Sequence, residues 1–184
     1  MHGLLTLLAP METNLYSVTI PVMAKALDAL SKILDKAAAY AESKKTPKRT
    51  FEEALLNDRL VFDQFPLAAQ VRIACDNAKG GAARLAEIEI PKFEDDEKTI
   101  AELQAHIEKT LAFLKTIKPE QIIGKENIEV SLPYWDGKHT TGFEYATEYL
   151  MPNFFFHVVT AYAILRKNGV PLGKNDYIGG LPLK

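Results

Sequence analysis

Apolar side chains recur at three- and four-residue steps along four stretches of the chain, and each stretch reads as an amphipathic helix. The first, Ser17 to Glu42, sets Val22, Ala26, Leu30, Ile33, Ala37 and Tyr40 on one side and Asp28, Lys32 and Lys36 on the other. Pro21 is tolerated there if it falls in the first turn, where an amide proton has no partner anyway. The second, Phe65-Pro66 to about Ala86, carries a seam of Leu67, Val71, Ala74, Ala78, Ala82 and Leu85. Gly80 and Gly81 interrupt it at a cost of roughly 1–2 kcal/mol against alanine, so another backbone is expected to approach closely. The third opens at a capping box, Thr99-Ile-Ala-Glu102, with Asp95, Asp96 and Glu97 ahead of it to favour the positive end of the dipole. Ile100, Leu103, Ile107, Leu111 and Leu114 face the core, and Lys118-Pro119 ends the helix.

The fourth, Glu144 to Asn168, is apolar over two adjacent stripes, so it is packed on most of its circumference. Leu150, Asn153, His157, Ala161 and Ile164 form one stripe; Met151, Phe155, Val158, Tyr162 and Leu165 form the other. A second capping box, Thr141-Gly-Phe-Glu144, starts it, and Asn168-Gly169 with Pro171 stops it. Pro152 should kink it near Glu148 and free a carbonyl close to Asn153 and His157.

Between these stretches, Ser43 to Thr50 reads as a loop and Phe51 to Leu56 as a short amphipathic piece. Ile128-Glu-Val-Ser-Leu alternates, and Asp136-Gly137 is a two-residue turn signal, so Glu126–Tyr134 and Lys138–Thr141 are expected to pair as a β-hairpin. The tail from Val170 is rich in Gly and Pro and should drape over the outside. The expected fold class is all-α: an up-down four-helix bundle over residues 11–184, with the hairpin between the third and fourth helices. Met1 to Pro10 is an apolar leader, too short for a signal sequence and set outside the domain.

Composition changes this picture only by exclusion. A net charge of −2 leaves no footprint for nucleic acid or an anionic membrane. The basic run Lys44, Lys45, Lys48 and Arg49 reads as a solvated loop, and no stretch approaches the roughly 20 apolar residues of a membrane helix. Cys75 is the single cysteine, so no intrachain disulfide forms and a cytoplasmic location is the expectation. No phosphate loop, dinucleotide fingerprint or zinc-cysteine pattern is present.

Four segments together resemble a DinB-like family catalogued as a domain of unknown function. They are Phe65-Pro-Leu-Ala-Ala-Gln-Val-Arg-Ile-Ala-Cys-Asp-Asn-Ala-Lys-Gly, Ile90-Pro-Lys-Phe-Glu-Asp, and Pro152-Asn-Phe-Phe-Phe-His followed by Asn168-Gly-Val-Pro-Leu-Gly-Lys. The resemblance spans nearly all of Asn14 to Gly179. It implies a DinB-like bundle, often a homodimer, within a superfamily of metal-dependent thiol transferases and isomerases. Metal-binding members of that superfamily take one histidine from the second helix and two, four apart, from the fourth. Here His157 matches the second of the latter pair, Asn153 replaces the first, and the second helix offers only Gln70, Asp76 and Asn77. Zinc or nickel wants three or more good donors, so no metal and no cofactor are expected.

The candidate chemistry therefore gathers around His157, as a general acid/base, with Asn153 orienting the ring or a substrate. Gln70, Asp76, Asn77 and the hairpin's Trp135 are the candidate ligand contacts, with Tyr134 and Trp135 as a lid. Each has a plainer reading. His157 is more simply a satisfied core histidine, Asp76 a helix-surface partner of Arg72 or Lys79, Trp135 packing, and Cys75 a buried hydrophobe. His106, at the edge of the third helix's core face, His139 in the hairpin and His2 in the leader are expected to be solvated. Two function classes follow: a protein that binds or transforms a small molecule without a metal, and a dimeric structural or interaction protein with a vestigial site.

Overall fold

The computed structural model describes residues 13–44 and 47–183; the apolar leader with His2, and Lys45 and Thr46 of the basic run, lie outside them. Helix α1 (Leu15–Glu42) starts two residues before Ser17 because Asn14 caps it, its Oδ1 accepting the Ser17 amide at 3.0 Å. That places Pro21 inside the helix and not in its first turn. Leu27, Leu30, Leu34 and Ala37 are fully buried, while Val22 is 36% exposed. The buried face is thus rotated away from Val22, toward Ile20, Met23 and Leu27.

Helix α2 (Lys48–Asn57) is longer than the expected amphipathic piece and begins within the stretch read as a loop. Helix α3 (Leu67–Leu85) follows Pro66, and its whole predicted seam is buried. Helix α4 (Ile100–Thr116) carries the predicted capping box, with the Glu102 amide donating to Thr99 Oγ1 at 3.2 Å and the Thr99 amide to Glu102 Oε2 at 3.0 Å. A third capping contact comes from outside the helix: Glu52 of α2 accepts the Ile100 amide at 2.5 Å. A short helix α5 (Pro119–Ile122) leads to the hairpin.

The hairpin is smaller than its alternation suggested. Strands β1 (Glu129–Val130) and β2 (Thr140–Thr141) pair antiparallel, Glu129 with Thr141 and Val130 with Thr140. Pro133 cannot donate to a ladder, and Pro133–Trp135 instead form a turn of 3₁₀-helix, ending in left-handed Asp136 at φ 51°. Gly142 then opens α6 (Gly142–Glu144) where a Cβ would stand 2.1 Å from the Lys125 carbonyl oxygen. The Thr141–Glu144 capping box is present.

What reads as one fourth helix is three segments. After α6 the backbone widens over Tyr145–Leu150 into i→i+5 bonding, the Met151 amide donating to the Ala146 carbonyl, and α7 (Met151–Lys167) follows. The irregularity expected at Glu148 is therefore a wide turn that precedes Pro152, which sits at the start of α7. The tail is not merely draped: α8 (Lys174–Ile178) docks on α1, with Asp176 accepting the Gly173 amide at 2.8 Å and Lys36 Nζ at 2.6 Å.

In the bundle α3 packs against α7 and α4, and α1 against α4 and α7. The α3–α7 seam is the most intimate of these contacts. Gly81 explains why. Its missing Cβ would lie 2.3 Å from Leu150 Cδ1, so the leucine of the wide turn occupies the space the glycine leaves.

Candidate functional site

Along the α3–α7 seam, polar residues face one another in two matched series. Helix α3 supplies Gln70, Asn77 and Arg84, seven residues apart; the facing chain supplies His157, Asn153, Tyr149 and Tyr145, four apart. Spacings of seven on one helix and four on the other each keep one face, so the two series meet as antiparallel rows. Gln70 Oε1 lies 2.7 Å from His157 Nδ1. Asn153 Nδ2 donates to Asn77 Oδ1 at 2.8 Å and to the Tyr149 hydroxyl at 3.3 Å. The Tyr149 and Tyr134 hydroxyls share a hydrogen bond, and the Arg84 guanidinium stands beside the Tyr145 phenol.

The network assigns the state of the histidine. The Gln70 amide nitrogen donates to the Phe65 carbonyl at 2.9 Å, which turns Oε1 toward the imidazole. That oxygen only accepts, so Nδ1 of His157 carries the proton and Nε2 keeps a free lone pair. Burial pushes the His157 pKa below its ordinary 6.5, and the ring is neutral at pH 7. Nε2 takes no hydrogen bond among the described residues. Beside the ring stands Phe156, edge-on at 5.2 Å and 52% exposed.

Trp135 lies over the upper end of the seam. Its ring meets Tyr149 edge-on at 5.4 Å and Tyr145 at 6.4 Å, and the two tyrosines stack at 5.8 Å. Burial, helped by the neighbouring Tyr134, raises the Tyr149 phenol to about 12. Of the residues singled out from sequence, the structure thus brings His157, Asn153, Gln70, Asn77 and Trp135 onto one seam.

Asp76 does not join them. It pairs with Lys79 at 2.9 Å, and the buried Lys79 ammonium lies 4.2 Å from the Phe93 ring centre. Cys75 is buried beside Thr110 of α4, where burial lifts its thiol to about 12 against the opposing pull of Thr110 and Lys79.

The expectation of a solvated His106 is wrong. It is 3% exposed, with Phe93 edge-on at 5.5 Å and Nδ1 paired to Glu97. The helical stripe put it at an edge because Glu97 and Phe93 come from the preceding loop, which periodicity does not see. Exposed His139 stands 3.6 Å from Glu129 in the hairpin. Sequence reasoning also missed Tyr149, Tyr145 and Arg84; continuing the four-residue step from His157 and Asn153, and the seven-residue step from Gln70 and Asn77, reaches all three.

Among the described residues no three His, Cys, Asp or Glu side chains converge as a metal site, and no helix is long and apolar enough to cross a membrane. A cavity of about 440 Å³ lies elsewhere, between α2, the start of α3 and Glu97–Thr99.

Comparison with known proteins agrees with the fold. The family described as "Domain of unknown function (DUF1993)" matches residues 15–178. The crystal structure of a DinB family member protein from Shewanella denitrificans is 45% identical, with a TM-score of 0.86 over 92% of this chain and 94% of that one. No curated protein matches the chain.

Proposed function

The chain belongs to the DUF1993 family and has a DinB-like fold, and from that premise we propose that it binds a small molecule on the α3–α7 seam, at His157, without a metal. The observation that carries this reading is the state of the imidazole. Gln70 fixes the ring and its proton from behind, as the supporting partner of a functional histidine does, and leaves Nε2 as an unused acceptor. A neutral imidazole so held accepts a hydrogen bond or a proton from a ligand O–H or N–H. Asn153 presents the neighbouring amide, and the exposed ring of Phe156 supplies apolar contact. Nothing else on the seam is a nucleophile: the tyrosines are held protonated.

The test is a ligand-observed NMR screen of fragments bearing one hydrogen-bond donor, run against the native chain and His157→Ala. Fragments that bind the native protein alone support the site. A screen in which the variant keeps every hit removes it. Stoichiometric zinc or nickel in protein purified without an affinity tag would overturn the metal-independent part.

A second reading has its own observation. Gln70, Asn77, Asn153 and Tyr149 are all paired within the seam, as a scaffold requires. In that reading the chain is a dimeric interaction protein. Phe65 at 61% and Phe156 at 52% exposure flank the seam and suit an isologous contact with a second copy. Light scattering that finds a monomer at all concentrations would exclude the homodimer.

A further inference from the structure

The histidine seam carries a second open acceptor, and the pair selects the kind of molecule that fits there. Asn153 spends both hydrogens of its amide, Nδ2 donating to Asn77 Oδ1 at 2.8 Å and to the Tyr149 hydroxyl at 3.3 Å. Those two bonds fix the orientation of the amide and leave Oδ1 without a donor among the described residues. His157 repeats the arrangement one turn later, with Nδ1 on Gln70 and Nε2 unpaired. Neither free atom is sealed in. Among the described residues, the buried side-chain oxygens and nitrogens left without a partner are those of Gln64, Glu97 and His106. Nε2 and Oδ1 are therefore open to the surface of the seam, although the His157 residue is only 8% exposed.

The bonds already made set their directions. The Asn153 nitrogen faces Asn77 and Tyr149, and Nδ1 of His157 faces Gln70. Oδ1 and Nε2, on the far sides of their groups, are left for the stretch between the two turns. Residues four apart on a helix hold their Cβ atoms roughly 5–6 Å apart, and a hydrogen bond spans about 2.9 Å. Two donors carried on one carbon bridge such a gap. Charge narrows the ligand further. A carboxylate or phosphate brings only acceptors to a pair of acceptors. A cation would leave water with no counter-charge, since Asp76, next to Asn77 in the chain, is held by Lys79. Phe156, half exposed and edge-on to the imidazole, offers a surface to an apolar group. Resting on the reading of His157 as a ligand site, we propose that the seam takes a neutral double donor, a substituted urea in chemical class. One N–H goes to His157 Nε2, the other to Asn153 Oδ1, and the substituent lies on Phe156.

The test titrates the full chain with phenylurea, with 1,1-dimethyl-3-phenylurea (one N–H), with benzamidinium (two donors, cationic) and with benzoate (no donor), following the backbone amides of Asn153, Phe156 and His157 by NMR. Phenylurea is expected to shift these amides saturably. The dimethyl compound should bind roughly three- to tenfold more weakly, the loss of one neutral hydrogen bond, benzamidinium more weakly than phenylurea, and benzoate not at all. Asn153→Leu should bring phenylurea down to the dimethyl compound and leave the latter unchanged; if that variant fails to fold, the series on the native chain decides. Equal affinity for the two ureas, with both lost in His157→Ala, would overturn the double donor and leave the His157 site standing. Benzamidinium binding more tightly than phenylurea, or no phenylurea shift, would overturn it too. Phenylurea binding unchanged in His157→Ala would remove both readings.

Discussion

Leu150 fills the space that Gly81 leaves: a Cβ on the glycine would meet Leu150 Cδ1 at 2.3 Å and Cδ2 at 2.5 Å. Two opposing effects then decide what Gly81→Ala does. Alanine gains roughly 1 kcal/mol of helix propensity, whereas forcing a methyl into a packed seam costs about 1–3 kcal/mol. A 2.3 Å approach is far inside ordinary contact, so the clash wins and the variant is less stable. Leu150→Ala alone should cost roughly 2–5 kcal/mol. The double variant should be less damaged than the sum, because the new methyl enters the space the leucine vacates. Urea unfolding of the three variants measures this, and strict additivity would mean the contact is not what limits position 81.

Replacing His157 separates support from function. Ala leaves the buried Gln70 oxygen unpaired and should cost roughly 1–3 kcal/mol; Gln retains a donor of similar reach and should cost about 1 kcal/mol. Large destabilisation by both, with ligand binding intact, would make the residue a scaffold.

The same residue predicts a pH dependence. Burial depresses the folded-state pKa of His157 below 6.5, so on acidification the unfolded chain takes up this proton first. Its contribution is fully present above 6.5 and is lost as pH falls from there to the folded-state value. Stability against pH, compared with His157→Gln, should show a steeper decline below 6.5 in the native chain. Parallel curves would contradict it.

Cys75 should be inert while the chain is folded. Its thiol is fully buried and raised to about 12, so almost no thiolate exists at pH 8. A chromogenic disulfide reagent should label it only at the rate at which the protein opens, and addition of urea should accelerate labelling. Fast stoichiometric reaction of the native protein would show an exposed thiol instead.

Trp135, the single tryptophan, reports on the upper seam. Tyr149→Phe removes the hydroxyl that joins Tyr134 and Asn153 but keeps the ring against Trp135. Emission should shift little with this variant and markedly with Tyr149→Ala, which removes the ring. Equal spectra from both would place Trp135 away from Tyr149.

The parts of this fold that periodicity describes were readable from the chain. The α3 seam from Leu67 to Leu85 is buried as its spacing requires, and both capping boxes hold, because each depends on residues a turn or two apart. His106 and Glu97 escaped because their pairing joins a helix to a loop. The hairpin was overextended because alternation outvoted Pro133. Asp76 shares helix and polarity with Gln70 and Asn77, but its position on the helix turns it toward Lys79. His157 and Asn153 were legible as a pair, but the tautomer was not, since it is set by the Phe65 carbonyl through Gln70.

The wide turn at Tyr145–Leu150 is equivalent to one residue inserted into an otherwise regular helix. One residue of α-helix is about 100° of rotation, and the wide turn absorbs it, which keeps Tyr145 on the face on which His157 lies. Regular bonding through the same number of residues would swing everything upstream by that angle. Tyr145 would leave Arg84, and the hairpin would be carried off the seam, while α7 beyond Met151 kept its packing. The two halves of this segment are thus indexed separately to α3: the lower half by Gln70 and His157, the upper by Arg84 and Tyr145. The loss of one residue here would restore regular bonding with both faces kept, whereas the loss of two would turn the hairpin away from α3, so chains sharing this arrangement should tolerate the first gap far better than the second.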